Sequence, residues 1–226
     1  MPKGKGIRAA QAQATQAVLI KAARRLFAEK GFHATPTTEI VAAAGVTRGA
    51  LQHYFPHKED LFRAVFEQAG RGLVDATAER VAREGWPGLL SDLKEFVRNV
   101  GDLEAKRIAF VDGPAVLGWT EWRRLQVDYG LRMMEDAITD GISRGVIQPQ
   151  APRALAHLIL SMVEEAALMV INSDELQVAP AEVELAMMSL LASLNPGAQA
   201  SPSRTPENQR PAPRAAKAVT RRRSRA

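Results

Sequence analysis

The sequence predicts an all-α protein, and three observations predict it. Apolar residues make up 46% of the chain and aromatics only 5%, with Ala and Leu prominent, a mix that suits packed helices better than a β-sandwich. Apolar positions recur at helical spacing, and no stretch alternates apolar and polar over the length of a strand. Gly, Pro and Thr stand where helices of ordinary length would start and stop.

Residues 1–9 read as a flexible basic arm. A first helix runs from about Ala10 to Lys30, because Leu19, Ala22, Ala23, Leu26 and Phe27 fall at i, i+3, i+4, i+7 and i+8 and form one apolar stripe. Gly31 supplies the left-handed residue that ends it, and Phe32 can fold back onto its last turn. A second helix opens with Thr35 as N-cap and Pro36 as first residue, and stops at Gly45. A third begins at the capping residue Thr47 and runs to Phe55, before Pro56. A fourth starts near His57 and Lys58, with Glu59 and Asp60 in the first turn where acids suit the helix dipole. It reaches Arg83, and Gly85-Trp86-Pro87 breaks it. Further helices are expected over roughly 88–100, 104–111, 119–144, 152–172 and 180–194, interrupted at Asp112-Gly113-Pro114 and between Pro149 and Pro152. From Asn195-Pro196 the chain turns to Pro, Ala, Ser and Arg without periodicity, so 196–226 reads as a disordered basic tail. There is no internal repeat.

The net charge of +5 hides a segregation. Residues 1–60 carry nine Lys/Arg against four Asp/Glu, residues 61–196 carry 13 against 20, and residues 197–226 carry eight against one. A basic head and tail flank an acidic body, and basic segments select a polyanionic partner. With no Cys, disulfides, thiolate metal sites and cysteine nucleophiles are excluded. No uninterrupted apolar run reaches the ~18 residues of a membrane span, and the basic N-terminus has no apolar core of a secretory signal. No membrane partner is therefore expected, and a cytoplasmic location is.

Thr35 to Phe55 is the informative stretch. Two helices cross steeply only where contact residues are small and the turn is tight. Ala43 and Ala44 permit that approach, Gly45 makes the turn, and Ile40, Val46 and Leu51 form a small shared core. This is the build of a helix-turn-helix, whose second helix enters the major groove of DNA. An ordinary helical hairpin would put core residues where this second helix carries Arg48, Gln52 and His53. Gly49 near its N-terminus lets backbone N–H groups approach a phosphate.

These residues resemble the N-terminal signature of the TetR/AcrR family of regulators. The resemblance runs through Leu26-Phe27-Ala28-Glu29-Lys30-Gly31-Phe32, Thr35, Ile40, Ala44-Gly45-Val46-Thr47-Arg48-Gly49, Leu51, Tyr54-Phe55 and Lys58-Glu59-Asp60-Leu61, about 50 consecutive residues. It implies about nine helices: a three-helix DNA-binding domain, here 10–57, and a ligand-binding and dimerisation body, here 58–195, whose last two helices pair between protomers. It further implies a ligand-responsive repressor bound to a palindromic operator as a homodimer and released by a small, largely apolar effector. By resemblance Thr37 and Thr38 meet phosphate or a base edge. Arg48, Gly49, Gln52 and His53 lie on the recognition face beside the cap Thr47, and Tyr54 and Lys58 meet phosphate. Many members have Tyr where this chain has Gln52, and Gln can pair bidentately with adenine, which shifts the expected operator.

In the body, the helix near 152–172 is apolar on almost all sides and the next carries Val183, Met187, Leu190 and Leu194 at helical spacing. With Leu155 and Ile159 these are the expected dimer contacts. Phe96, Phe110, Trp119, Trp122, Tyr129, Met133 and Met162 are the expected pocket, since aromatic and Met side chains line adaptable apolar cavities. Glu164 and Glu165 interrupt the most apolar helix, and a buried acid needs a partner: a cationic ligand, an Arg of the second subunit, or water. His157 and Glu164 share a helix face with no third ligand in view, so no metal site and no cofactor is expected. GxSxG, HExxH, GxxxxGK[ST] and GxGxxG are all absent, so no catalytic residues and no enzyme are expected. The alternatives to a regulator are a non-specific nucleoid-type DNA-binding protein, to which an Arg-rich tail also fits, and, behind it, a small-molecule-transforming enzyme.

Overall fold

The computed structural model describes residues 3–101 and 106–195, with side chains from residue 9 onward apart from that of residue 129. The expected tail, 196–226, and the first two residues of the expected arm lie outside the described residues. Among the described residues there are ten α-helices, one π-helical segment and no strand. In chain order the helices are α1 Lys3–Lys30, α2 Thr37–Ala44, α3 Arg48–Tyr54, α4 Lys58–Glu84, α5 Trp86–Asn99, α6 Gly113–Leu117, α7 Trp119–Ser143, α8 Pro152–Ile171, α9 Ser173–Leu176 and α10 Pro180–Ala192. The π-helical segment, Lys106–Asp112, precedes α6.

α1 begins at Lys3, about two turns before the start that the apolar stripe marks. Residues of good helix propensity (Ala9, Ala10, Gln11, Ala12) let the helix propagate backwards, so most of the expected arm is helical. The stripe itself is the core of the head: Leu19, Ala23 and Phe27 are fully buried. Gly31 sits at φ +84°, its N–H bonded to the Phe27 carbonyl at 2.8 Å. The chain then turns Phe32 inward, and Phe27, Phe32 and Phe62 form a tilted cluster with ring centroids 5.3 to 5.6 Å apart. Each such pair adds ~0.5–1.5 kcal/mol beyond its buried area.

Thr35 does not cap α2, as the sequence led one to expect. Pro36 occupies the N-cap position, and the buried Thr35 hydroxyl points back to α1, 2.7 Å from the Gly31 carbonyl and 3.2 Å from that of Leu26. One O–H can donate to only one of them at a time; the shorter contact is to Gly31, just past the end of α1. Gly45, at φ +66°, ends α2 in the left-handed conformation, and Thr47 caps α3 by accepting from the Ala50 N–H at 3.1 Å. The His57 N–H donates to the Asp60 carboxylate at 2.9 Å and starts α4.

α4 leaves the head and runs beside α5 and α7; α7 lies along α8, and α8 along α10. Leu61, Phe62, Val65 and Phe66 of α4 share one core with α1 to α3 and with Val100, Ile108, Trp122 and Leu125 of the body. The apolar packing therefore continues past residue 57 from head into body. A second core, built on Trp86, Leu89, Val97, Ile138, Ile159 and Met187 among others, fills the far end.

Two local readings of the body change. Trp86 and Pro87, expected in a break, are the first residues of α5, where Pro fits because its missing N–H is not needed. Where one helix was expected over 104–111, a wider π-helical turn forms and runs directly into α6. The Trp122 ring packs against this turn: its Nε1–H donates to the Ala109 carbonyl at 2.7 Å, and a Cβ at Gly113 would stand 2.9 Å from its Cδ1. α8 is long and apolar enough to cross a membrane, with mean hydropathy 1.8, although it contains no uninterrupted apolar run of that length. In this fold it buries Leu155, Ala156, Ile159, Val163, Ala166 and Ala167 against the helices around it.

Candidate nucleic-acid interface and ligand cavity

The turn at Gly45 and the cap at Thr47 place α3 on the outside of the head. Only its Leu51 is buried, which anchors the helix and leaves the opposite face free. Thr38, Thr47, Arg48, Gly49, Gln52 and His53 are exposed, and Thr37, Tyr54 and Lys58 half-buried. A depression of about 150 Å³ gathers Thr37, Arg48, Gln52 and Lys58 with Pro56 and His57. Three helix starts meet there, those of α2, α3 and α4, and helix starts carry free N–H groups and positive dipole ends. His57, which the sequence placed only at the start of the fourth helix, lines the depression as the N-cap residue of α4. Tyr54 packs on the head core and stacks edge-on against His53 at 4.8 Å.

Lys58 departs from the expected outward pose. Its ammonium donates to the Phe32 carbonyl and lies 4.3 Å from the centre of the Phe32 ring. Partial burial lowers its pKa, against opposing effects of Glu59 and Asp112. The turn after α1 explains the pose, since it leaves a carbonyl and an aromatic face within reach of a long cationic side chain. Phe32 is held from its other side too: its N–H donates to the buried Asp112 carboxylate at 2.8 Å. Asp112 closes the π-helical segment, so this bond ties the head to that segment of the body.

The body holds a two-lobed cavity. Its outer lobe, about 360 Å³, is lined by Arg24 of α1, Phe66, Ala69, Gly70 and Leu73 of α4, and Ile108 to Phe110 of the π-helical segment, among others. Its inner lobe, about 120 Å³, reaches Thr77, Asp92, Met133, Leu160 and Glu164. Gly70, Leu73, Phe96, Phe110 and Gln126 border both.

Of the expected pocket residues, Phe96, Phe110 and Met133 line it. Trp119 does not, being 66% exposed; Trp122 is buried in the shared core instead, and half-buried Met162 is absent from the lining. The Tyr129 side chain lies outside the described residues. The sequence singled out large apolar side chains, and the same side chains also fill cores. The missed lining residues include apolar ones such as Phe66, Leu73, Ile108 and Leu160 and, less visible to a search for large apolar side chains, the small or polar Gly70, Thr77, Asp92 and Gln126.

The expected dimer contacts need a similar correction. Leu155, Ile159, Val183 and Met187 are at most 8% exposed and belong to the protomer's own core, and Leu194 packs against it. Leu190, at 60%, is exposed, and so are Leu158 and Leu185 on α8 and α10, at 69% and 70%. Both helices are apolar over more than one face, so spacing alone could not say which face turns inward.

Two acids border the inner lobe. Glu164 pairs with Arg123, and Asp92 with Arg80 at 2.8 Å. Burial is the main influence on each and pushes both pKa values up, against the pull of the arginines. Among the described residues no group of His, Asp and Glu is arranged to hold a metal ion.

Comparison with known proteins agrees with this architecture. The family pattern "Bacterial regulatory proteins, tetR family" matches residues 19–65, and the pattern "Tetracyclin repressor-like, C-terminal domain" matches residues 86–194. The transposon Tn10 TetC protein of Escherichia coli is 30% identical over 119 residues, covering 52% of this chain and 60% of that protein. The crystal structure of a TetR-family transcriptional regulator from Pectobacterium atrosepticum is similar with a TM-score of 0.73 and 29% identity, over 82% of this chain and 96% of that one. RolR in complex with resorcinol shares the fold with a TM-score of 0.64 at 19% identity, over 83% of this chain and 90% of that one. The matched segments take in both the head and the body, and on them the chain is a member of the TetR family of transcriptional regulators, not an enzyme.

Proposed function

We propose that the chain is a ligand-released repressor: a cytoplasmic homodimer that binds a palindromic DNA operator and leaves it when a small, largely apolar effector fills the two-lobed cavity. The observation that carries this reading is the wall that the cavity shares with the head. α4 begins under the recognition helix and lines both lobes with Gly70 and Leu73. The π-helical segment lines them with Phe110 and, two residues on, holds Phe32 of the head through Asp112. A ligand that displaces Phe110 or Leu73 therefore strains both links at once.

On DNA, Gln52 reads a base edge, Arg48 and His53 face the groove, and Thr37, Thr38, Thr47, Gly49, Tyr54 and Lys58 meet the backbone. Lys58 must exchange the Phe32 carbonyl for a phosphate to do so. Two protomers joined through the exposed Leu158, Leu185 and Leu190 present two recognition helices related by a two-fold axis. They fit half-sites about one helical turn, ~34 Å, apart or a little more. Selection from random duplexes followed by footprinting tests the reading: an inverted repeat is the expected product. Enrichment of a single half-site, or of no sequence at all, contradicts it, and the latter result is what a nucleoid-type protein would give.

A further inference from the structure

The inner lobe is mostly apolar, its polar side chains being those of Thr77, Asp92, Gln126 and Glu164, and each of the two acids has one oxygen without a hydrogen-bond partner. The Oε2 atom of Glu164 accepts from Arg123, while its Oε1 atom is shut off from solvent and has no hydrogen-bond partner. The Oδ1 atom of Asp92 is ion-paired with Arg80 at 2.8 Å, and the Thr77 side chain lowers the pKa of Asp92 as a hydrogen-bonding neighbour, while the Oδ2 atom is buried with no hydrogen-bond partner. Buried carboxylate oxygens rarely go without a donor, because the charge has lost its water. The two acids enter from different helices, Glu164 from α8 and Asp92 from α5, and border one space.

The charge around that space is uneven. Arg123 divides its donors between Glu164 and the Ser161 hydroxyl, and so balances one carboxylate. Arg80 answers two, Asp92 and, at 3.6 Å, Glu95, and Glu84 adds a further negative charge near Asp92. The arginines leave the inner lobe under a net negative field. Above it stand the rings of Phe96 and Phe110, with centroids 6.4 Å apart and planes at 49°, which offer aromatic faces to a cation. The positive group on the lining, Arg24, borders the outer lobe alone.

We propose that the inner lobe is the head-group site for an amphipathic organic cation, whose ammonium or amidinium donates to Glu164 and Asp92 while its apolar body lies against Phe96, Phe110 and Leu73 in the outer lobe. This names the chemical class of the effector and rests on reading the cavity as the effector site. The raised pKa values of both acids fit, since each charged form lacks the partner that the cation supplies.

Three compounds with one apolar body test it: 4-phenylbutylamine, neutral 4-phenylbutan-1-ol and anionic 5-phenylpentanoate, titrated calorimetrically into the full chain at neutral pH. The amine should bind about tenfold or more tightly than the alcohol, and the anion least. In Glu164→Gln the amine should fall to the alcohol's affinity while the alcohol's own affinity stays unchanged, and Asp92→Asn should act in the same direction. Equal binding of amine and alcohol, tighter binding of the anion, no binding of any of the three, or an amine affinity unchanged in both variants would overturn the assignment. The comparison on the unaltered chain stands even if a variant fails to fold. Operator release is measured separately. Release by the alcohol but not the amine sinks the cation site and leaves the effector reading intact; amine binding that releases no DNA does the reverse.

Discussion

Gln52 and Lys58 lie a few residues apart and are expected to fail in different ways. Gln52 is exposed on α3 and makes no contact that holds the head together, so Gln52→Ala should leave stability unchanged. At the operator it should cost ~1–3 kcal/mol and flatten base preference at one position per half-site. Equal weakening on operator and random duplex in a fluorescence-anisotropy titration would remove the base-reading role. Lys58→Ala should weaken all duplexes alike and reduce the salt slope by about one phosphate contact. Because Lys58 also closes the Phe32 carbonyl, the same change should lower the unfolding free energy by ~1–2 kcal/mol. An unchanged urea midpoint would show that the inward pose contributes nothing. The position of Lys58 in the head was readable from the motif. Its inward turn was not, because it depends on a carbonyl and a ring 26 residues away in sequence.

At the scale of elements, what the sequence announced reliably was set by near neighbours. α3 begins after its cap Thr47, α2 ends at Gly45, and α4 spans Lys58–Glu84, one residue beyond the expected end. What it concealed was set across the fold. Asp112 reads as a helix break and proves to be the acceptor for the Phe32 N–H, 80 residues away. Asp112→Ala should leave that N–H without its charged acceptor, at a cost of ~1.5–3 kcal/mol, and should also loosen the tie between cavity and head. A stability unchanged in thermal unfolding would mean that the bond is idle. The last helix, α10, gives the sharpest contrast. Leu185→Asp, on the exposed side of α10, should abolish dimers in sedimentation while leaving the protomer folded. Met187→Ala, two residues on and 3% exposed, should instead cost ~2–5 kcal/mol of protomer stability. If Leu185→Asp stays dimeric, the pairing face has been misassigned.

For the whole molecule, the all-helical fold and its N-terminal helix-turn-helix were legible from periodicity and the motif between Thr35 and Phe55. The cavity's chemistry was not. Large side chains such as Trp119 and Trp122 drew attention, whereas Gly70, Thr77 and Gln126 are ordinary in sequence and become lining only when α4, α5, α7 and α8 converge. Glu164 stood out because it interrupts an apolar helix, but its half-satisfied state depends on Arg123, 41 residues before it. The same convergence makes the molecule a candidate switch, since one cavity wall is bonded to the head and α4 spans both. Plugging the cavity mouth with Leu73→Trp should block ligand binding and spare operator binding.

The central claim is that cavity and operator compete for the conformation of one dimer. The direct measurement is a pair of titrations: operator into protein with and without a saturating cavity ligand, and that ligand into protein with and without operator. Linkage requires the two effects to match, and a typical coupling of ~1–3 kcal/mol predicts a ~5–150-fold weakening in each direction. Equal affinities with and without the other partner would contradict the account, however well the ligand fits the cavity.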